Sequence, residues 1–130
     1  DWTLTADSET DGHTLRMVAD ANPRTYWKSA ERKKSALIVD MGENKRVNGF
    51  IYTPQTENAD GMISEMQVMV SNNGGKWRIV GNYEFGNLVN DPSPREQKFD
   101  KGVDARYVQF VPIRTADDSP CVTIAEIDIF

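Results

Sequence analysis

Met66-Gln-Val-Met-Val-Ser-Asn-Asn-Gly-Gly-Lys-Trp-Arg-Ile-Val80 decides how this chain folds. Met66, Val68 and Val70 fall on one side of an extended chain, and Gln67, Met69 and Ser71 on the other. That is the period of a strand with one face in a core. Ser71-Asn-Asn-Gly-Gly-Lys76 then supplies residues that tolerate positive φ, after which a second strand-like run continues to Tyr83. The pattern predicts a hairpin.

On either side of the hairpin, runs rich in Val, Ile, Phe and Tyr recur between Gly, Asn, Asp and Pro. They predict strands over Trp2 to Ala6, Ala36 to Met41, Val47 to Thr53, Glu65 to Ser71, Lys76 to Tyr83, Glu96 to Phe99, Ala105 to Pro112 and Val122 to Phe130. A set of eight such strands suits an all-β jelly-roll sandwich. Only Thr14 to Asp20 is compatible with a helix, and Pro23 stops it after about one turn. Long polar connections, Gln55 to Ser64 and Gly86 to Arg95, lie where a rigid sandwich carries binding residues.

The 130 residues make one domain, 1–130, and its start at Asp1 rather than Met suggests excision from a longer protein. Net charge is −5 and the pI about 4.8. The cationic surface that nucleic acid or an anionic membrane would require is therefore lacking. No stretch approaches the roughly 20 apolar residues of a membrane span, so no membrane insertion is expected. Cys121 is the single cysteine and cannot close an internal disulfide.

Two places hint at chemistry. In the last strand Val122 and Ile124 are even, whereas Ile127 and Ile129 are odd, so the pleat must slip near Ala125, as at a β-bulge. The slip would aim Glu126 away from the core, either as an ordinary outward glutamate or as a carboxylate offered to a hard cation. Earlier, Asp20, Asn22 and Thr25 share one tight turn. They can form a plain Asx-rich turn, or place enough oxygens to wrap Ca²⁺. His13 is the only histidine and reads as a solvated loop residue, since one His and one Cys cannot supply a triad. The Lys28 to Lys34 cluster mixes Glu31 among its cations and reads as a solvated connection. Trp27 and Trp77 read as packing residues.

The Asx-rich turn, Val18-Ala-Asp-Ala-Asn-Pro-Arg-Thr-Tyr-Trp27, resembles the Ala-x-Asp-Gly-Asp-x-x-Thr-x-Trp run of the discoidin superfamily, or F5/8 type C domains. The bacterial sugar-binding members of that superfamily form carbohydrate-binding module family 32. WTLTA, ALIVDMG, VNGFIYTP, the hairpin, ARYVQFVPI and TIAEIDIF agree in order as well, over nearly the whole chain. The resemblance implies a galactose-binding-domain-like jelly roll with a structural calcium. Its ligands would be the carbonyls of Val18 and Ala125 with Asp20, Asn22, Thr25 and Glu126. Ala21 stands where Gly is usual and Asn22 where Asp is usual, one charge fewer at the site.

The same resemblance places a shallow sugar site on the loops Ser29 to Lys34, Pro54 to Ile63 and Thr115 to Cys121. Gln55, Glu57, Asn58, Asp60 and Asp118 are the candidates to hydrogen-bond hydroxyls. Galactose-binding relatives often carry Arg after Tyr-x-Pro and Asn-Gly shortly after, where this chain has Gln55 and Asp60-Gly61. The implied role is a monomeric, non-catalytic module that binds a glycan terminus. It would be covalently linked to the catalytic domain of a bacterial glycoside hydrolase that is secreted, periplasmic or on the cell surface. The alternative is a structural or protein-interaction domain that packs on its parent enzyme without binding sugar. A phospholipid-binding role fits poorly with one cysteine and negative charge. An independent glycosidase would need two carboxylates facing across a deep cleft.

Overall fold

The alternating segments become eight strands in the computed structural model, which describes residues 1–30 and 35–130. They are β1 (Thr3–Ala6), β2 (Trp27–Lys28), β3 (Leu37–Thr53), β4 (Ile63–Ser71), β5 (Arg78–Glu84), β6 (Arg95–Thr115), β7 (Thr123–Ile124) and β8 (Glu126–Ile129). The helix-compatible stretch is a single 3-10 segment, Leu15–Ala19. The larger sheet runs β1-β3-β6-β4-β5 with β8 also on β3, and β2 pairs β7 separately; all these pairings are antiparallel. The architecture is the all-β jelly-roll sandwich expected.

The strands divide differently from the expectation. Two pairs of expected segments each join into one long strand, β3 and β6, which pair along most of their length through register shifts at Asp40/Lys45 and Val47/Gly49. Polar residues such as Glu43, Asn44 and Lys45 interrupt the apolar pattern without interrupting the extended backbone, because their side chains are exposed. The front of β3 lies against β1 and its end against β8, so the first and last strands share one long partner. Gly49 permits this, since a Cβ there would sit 2.3 Å from the Gln97 carbonyl oxygen.

The expected final strand splits at Ala125. Before it β7 pairs β2, after it β8 pairs β3, and Ala125 N–H donates to the Thr53 carbonyl at 3.0 Å. The phase slip in the sequence is thus the point where the chain changes partners.

Met66, Val68 and Val70 are fully buried, as their alternation requires, against Leu37, Val39, Val108 and Phe110. Phe50 is the aromatic hub, with the rings of Tyr83, Phe85, Phe99 and Phe110 between 5.4 and 6.3 Å away. Such pairs each add about 0.5–1.5 kcal/mol beyond area burial. In the hairpin turn Ser71 is buried, and its hydroxyl oxygen accepts the Gly74 N–H at 2.9 Å. Gly74 has φ +76° and lies on the Tyr107 ring. Trp77 is half-buried and edge-on to Tyr107, and Trp27 is wholly buried, so both are packing residues as expected. On β5 one extra residue, Val80, intervenes between the pairs Met69–Ile79 and Val68–Gly81.

Candidate functional site

Two polar loops flank the short β2–β7 ribbon. The first runs from Val18, whose buried side chain anchors the 3-10 segment, to Thr25. Its backbone is wound by its own side chains: Asp20 Oδ1 accepts the Asn22 N–H and Asn22 Oδ1 accepts the Arg24 N–H, each at 3.0 Å. The Thr25 hydroxyl donates to Asp20 Oδ2, with the Asn22 carbonyl oxygen 3.0 Å away. Ala21 adopts φ +59°, the left-handed conformation that glycine takes at least cost.

The expected bulge is instead a break between β7 and β8 at Ala125, itself fully buried, and it delivers Glu126 to this loop from the opposite strand. Glu126 is 9% exposed, and its Oε1 is buried with no hydrogen-bond partner. Burial, then the hydrogen bond and charge of Asp20, push its carboxyl up to about 7. Burial also pushes Asp20 upward, but the bonds from Thr25, Asn22 and Glu126 outweigh it and hold Asp20 below the usual range. Two carboxylates here contend for one proton. Asp20 and Glu126 also line a broad surface groove floored by Trp2, Leu4 and Leu15, which gives an ion access.

These residues fit a hard cation. An orphaned buried carboxylate oxygen beside a second carboxylate is the polar surplus that a divalent ion satisfies. Among the described residues no three His, Cys, Asp or Glu converge. Amide, hydroxyl and carbonyl oxygens would have to complete the shell, which suits calcium better than a transition metal.

The second loop, Gln55 to Gly61, is organised from inside. Gln55 is fully buried; its Nε2 donates to the Asn58 and Asp60 carbonyls and to Asn58 Oδ1, and its Oε1 accepts the Glu57 and Asn58 N–H groups. This differs from the expectation: Gln55 does not face solvent and has no polar atom left for a hydroxyl. Its surroundings are backbone groups that only a carboxamide can satisfy on both sides, and sequence spacing cannot show that. Glu57, Asn58 and Asp60 are exposed around it, as is Asp118, at φ +58°.

Four further residues complete this end, none offered as a site residue from the sequence, where Lys28 reads as part of a solvated connection. Lys28 Nζ lies 3.9 Å from Asp60 Oδ2. The Tyr26 hydroxyl, pushed up by burial and then by Glu57, faces Glu57 and Asn58. Asp117, rather than its neighbour Asp118, ties the loops together through the Gly61 and Ser119 N–H groups. Thr123 donates its hydroxyl to the Asp60 carbonyl at 2.7 Å. Adjacency to Trp27 was the only available signal, and it covers Tyr26 and Lys28 alone. His13 is corrected as well: it is half-buried and stacked on Tyr26 at 4.1 Å rather than solvated. The cationic connection of Lys28 to Lys34 lies, from Glu31 onward, outside the described residues.

This chain is 28% identical to a galactose oxidase of Gibberella zeae across 99% of its length, but it spans only 20% of that protein. Its fold superposes on the family 32 carbohydrate-binding module of C. perfringens NanJ, solved with galactose, with TM-score 0.86 and 22% identity, covering 98% of this chain and 92% of that one. A module of the same kind from a family 31 glycoside hydrolase of Clostridium perfringens gives 0.88 at 20% identity, covering 98% and 90%. The F5/8 type C domain profile matches residues 3–127. With that match over almost all of the jelly roll, the chain belongs to the F5/8 type C domain family.

Proposed function

We propose that the domain is a non-catalytic carbohydrate-binding module with a structural calcium site, carried by a secreted or surface carbohydrate-active enzyme. The observation that supports the binding role is the rigid loop at one end of the sandwich. Gln55 fixes its backbone from inside, leaving Glu57, Asn58 and Asp60 displayed in a set geometry beside Lys28 and Tyr26. Preset polar groups cost little ordering entropy when they meet sugar hydroxyls. Likeness to modules solved with galactose, or belonging to a glycoside hydrolase, supports the ligand class and the setting. Tethering a weak binder to an enzyme raises local substrate concentration. Calcium, held by Asp20, Asn22, Thr25 and Glu126 with the carbonyls of Val18 and Ala125, would clamp the β2-side loop to the last strand. Those residues place and neutralise charge; none is left to activate a substrate.

The test is a titration of the isotopically labelled chain, in calcium, with galactose-, fucose- and N-acetylhexosamine-terminated glycans, read as backbone amide shifts. Saturable shifts at Glu57, Asn58, Asp60 and Asp118 with one glycan are expected. No movement at millimolar sugar refutes sugar binding. That result would favour the second reading, a domain that packs on its parent enzyme.

A further inference from the structure

The two loops are not independent. From Thr25 the chain passes directly into Tyr26, whose hydroxyl faces Glu57 and Asn58, and then into Lys28, which pairs with Asp60. From Glu126 it passes back through Ala125 to Thr123, whose N–H donates to the Gly61 carbonyl at 2.9 Å and whose hydroxyl donates to the Asp60 carbonyl. These two limbs are themselves paired, Trp27 with Ile124 and Lys28 with Thr123. Both begin at the carboxylates of the first loop and end on the second. Gly61 packs so closely on Cys121 and Val122 that a Cβ there would lie 3.0 Å from the Cys121 oxygen and the Val122 Cα. Movement of the β7 limb must therefore move Gly61.

We infer that a cation held between Asp20 and Glu126 stiffens the Gln55–Gly61 loop through the β2–β7 ribbon, with Thr123 as the positioning residue. Without the ion, the buried Oε1 of Glu126 has no partner, so that oxygen does nothing to tie the two limbs together at the base of the ribbon. With the ion they are drawn together, and the ribbon presents Thr123 and Lys28 to Asp60 in fixed register. The inference rests on the calcium part of the function proposed above and adds regulation of the ligand loop. Coupling of this kind is reciprocal, so a glycan that orders the loop tightens the ion by the same factor.

Amide hydrogen exchange of the chain with calcium chloride and with chelator, beside calorimetry of calcium binding, tests it. The turn Asn73–Lys76 serves as the internal reference, since its exposed amides, like those of the loop, exchange by local opening. Calcium is expected to raise protection at Asp60, Gly61 and Thr123 by about tenfold more than at the reference. In Thr123→Val, which keeps the shape but loses the hydroxyl, the excess at Asp60 and Gly61 should fall below about threefold, while Thr123→Ser restores it. Lys28→Met, which removes only the charged end of a ribbon residue and keeps its backbone pairing with Thr123, should give an intermediate loss. Calcium binding with equal protection at loop and reference overturns the coupling alone. Absence of a calcium binding isotherm overturns the metal reading and the coupling with it, and neither result bears on whether the loop binds sugar.

Discussion

Asp20 to Thr25 and Gln55 to Asp60 are segments of equal length, drawn from the same turn-forming residue types, and both curl around their own side chains. They differ in what is left over. The Gln55 loop closes its accounts internally: every polar atom of its one buried side chain meets a backbone partner. The Asp20 loop leaves a buried Glu126 oxygen unanswered and two acids competing for a proton. Polar satisfaction within a loop marks scaffolding, and a surplus of one sign marks a place prepared for something else.

The contrast breaks most visibly at Gln55. Gln55→Leu leaves the Glu57 and Asn58 N–H groups and the Asn58 carbonyl without partners and strips the Asp60 carbonyl of one of its two, and should cost about 3 kcal/mol in urea unfolding while erasing the fixed geometry of Glu57 and Asp60. At the other loop the decisive ingredient is the ion: calcium at about 100 times its dissociation constant should add about 2.7 kcal/mol, seen as a rise in Tm. Glu126→Gln should abolish that gain.

The proton competition gives a pH signature of similar sign logic. Glu126 holds its proton up to about 7 in the folded chain, against 4.5 ordinarily, so between those values the folded state binds more protons than the unfolded one. In chelator, the contribution of Glu126 to stability should be complete below pH 4.5 and fall by about 2 kcal/mol as pH rises through 7, a slope that saturating calcium removes. Glu126→Gln should flatten the same slope without any ion. The smallest effect is expected from Ala21→Gly, which relieves a left-handed alanine and should gain about 0.5–1 kcal/mol with calcium affinity nearly unchanged.

Much of this was legible in the sequence, for local reasons. The alternation over Met66 to Val70 and the Asn-Gly turn fix the hairpin because strand period and turn chemistry act between neighbours. The phase slip at Ala125 is legible for the same reason, and it leads directly to Glu126. Gln55 was not legible. Its role depends on which backbone groups of the next five residues turn inward, and a glutamine reads as surface until those are known. Thr123 and Lys28 meet Asp60 only through pairing across 63 and 32 positions, which no local pattern records. The two-residue strand β2 is too short to show any period.

The extra residue on β5 has a consequence for the molecule in crowded solution. This strand is the outer edge of the larger sheet among the described residues, bonded on one side only to β4. A long flat edge would be a template onto which a second chain could add, and repeated addition is how soluble sandwiches become fibrils. Val80 interrupts the ladder midway and strengthens the local twist, so the free edge offers no long run of evenly spaced donors and acceptors. A one-residue insertion that does nothing for the ligand loop thereby guards the colloidal stability of a protein with exposed Ile79 on that same edge.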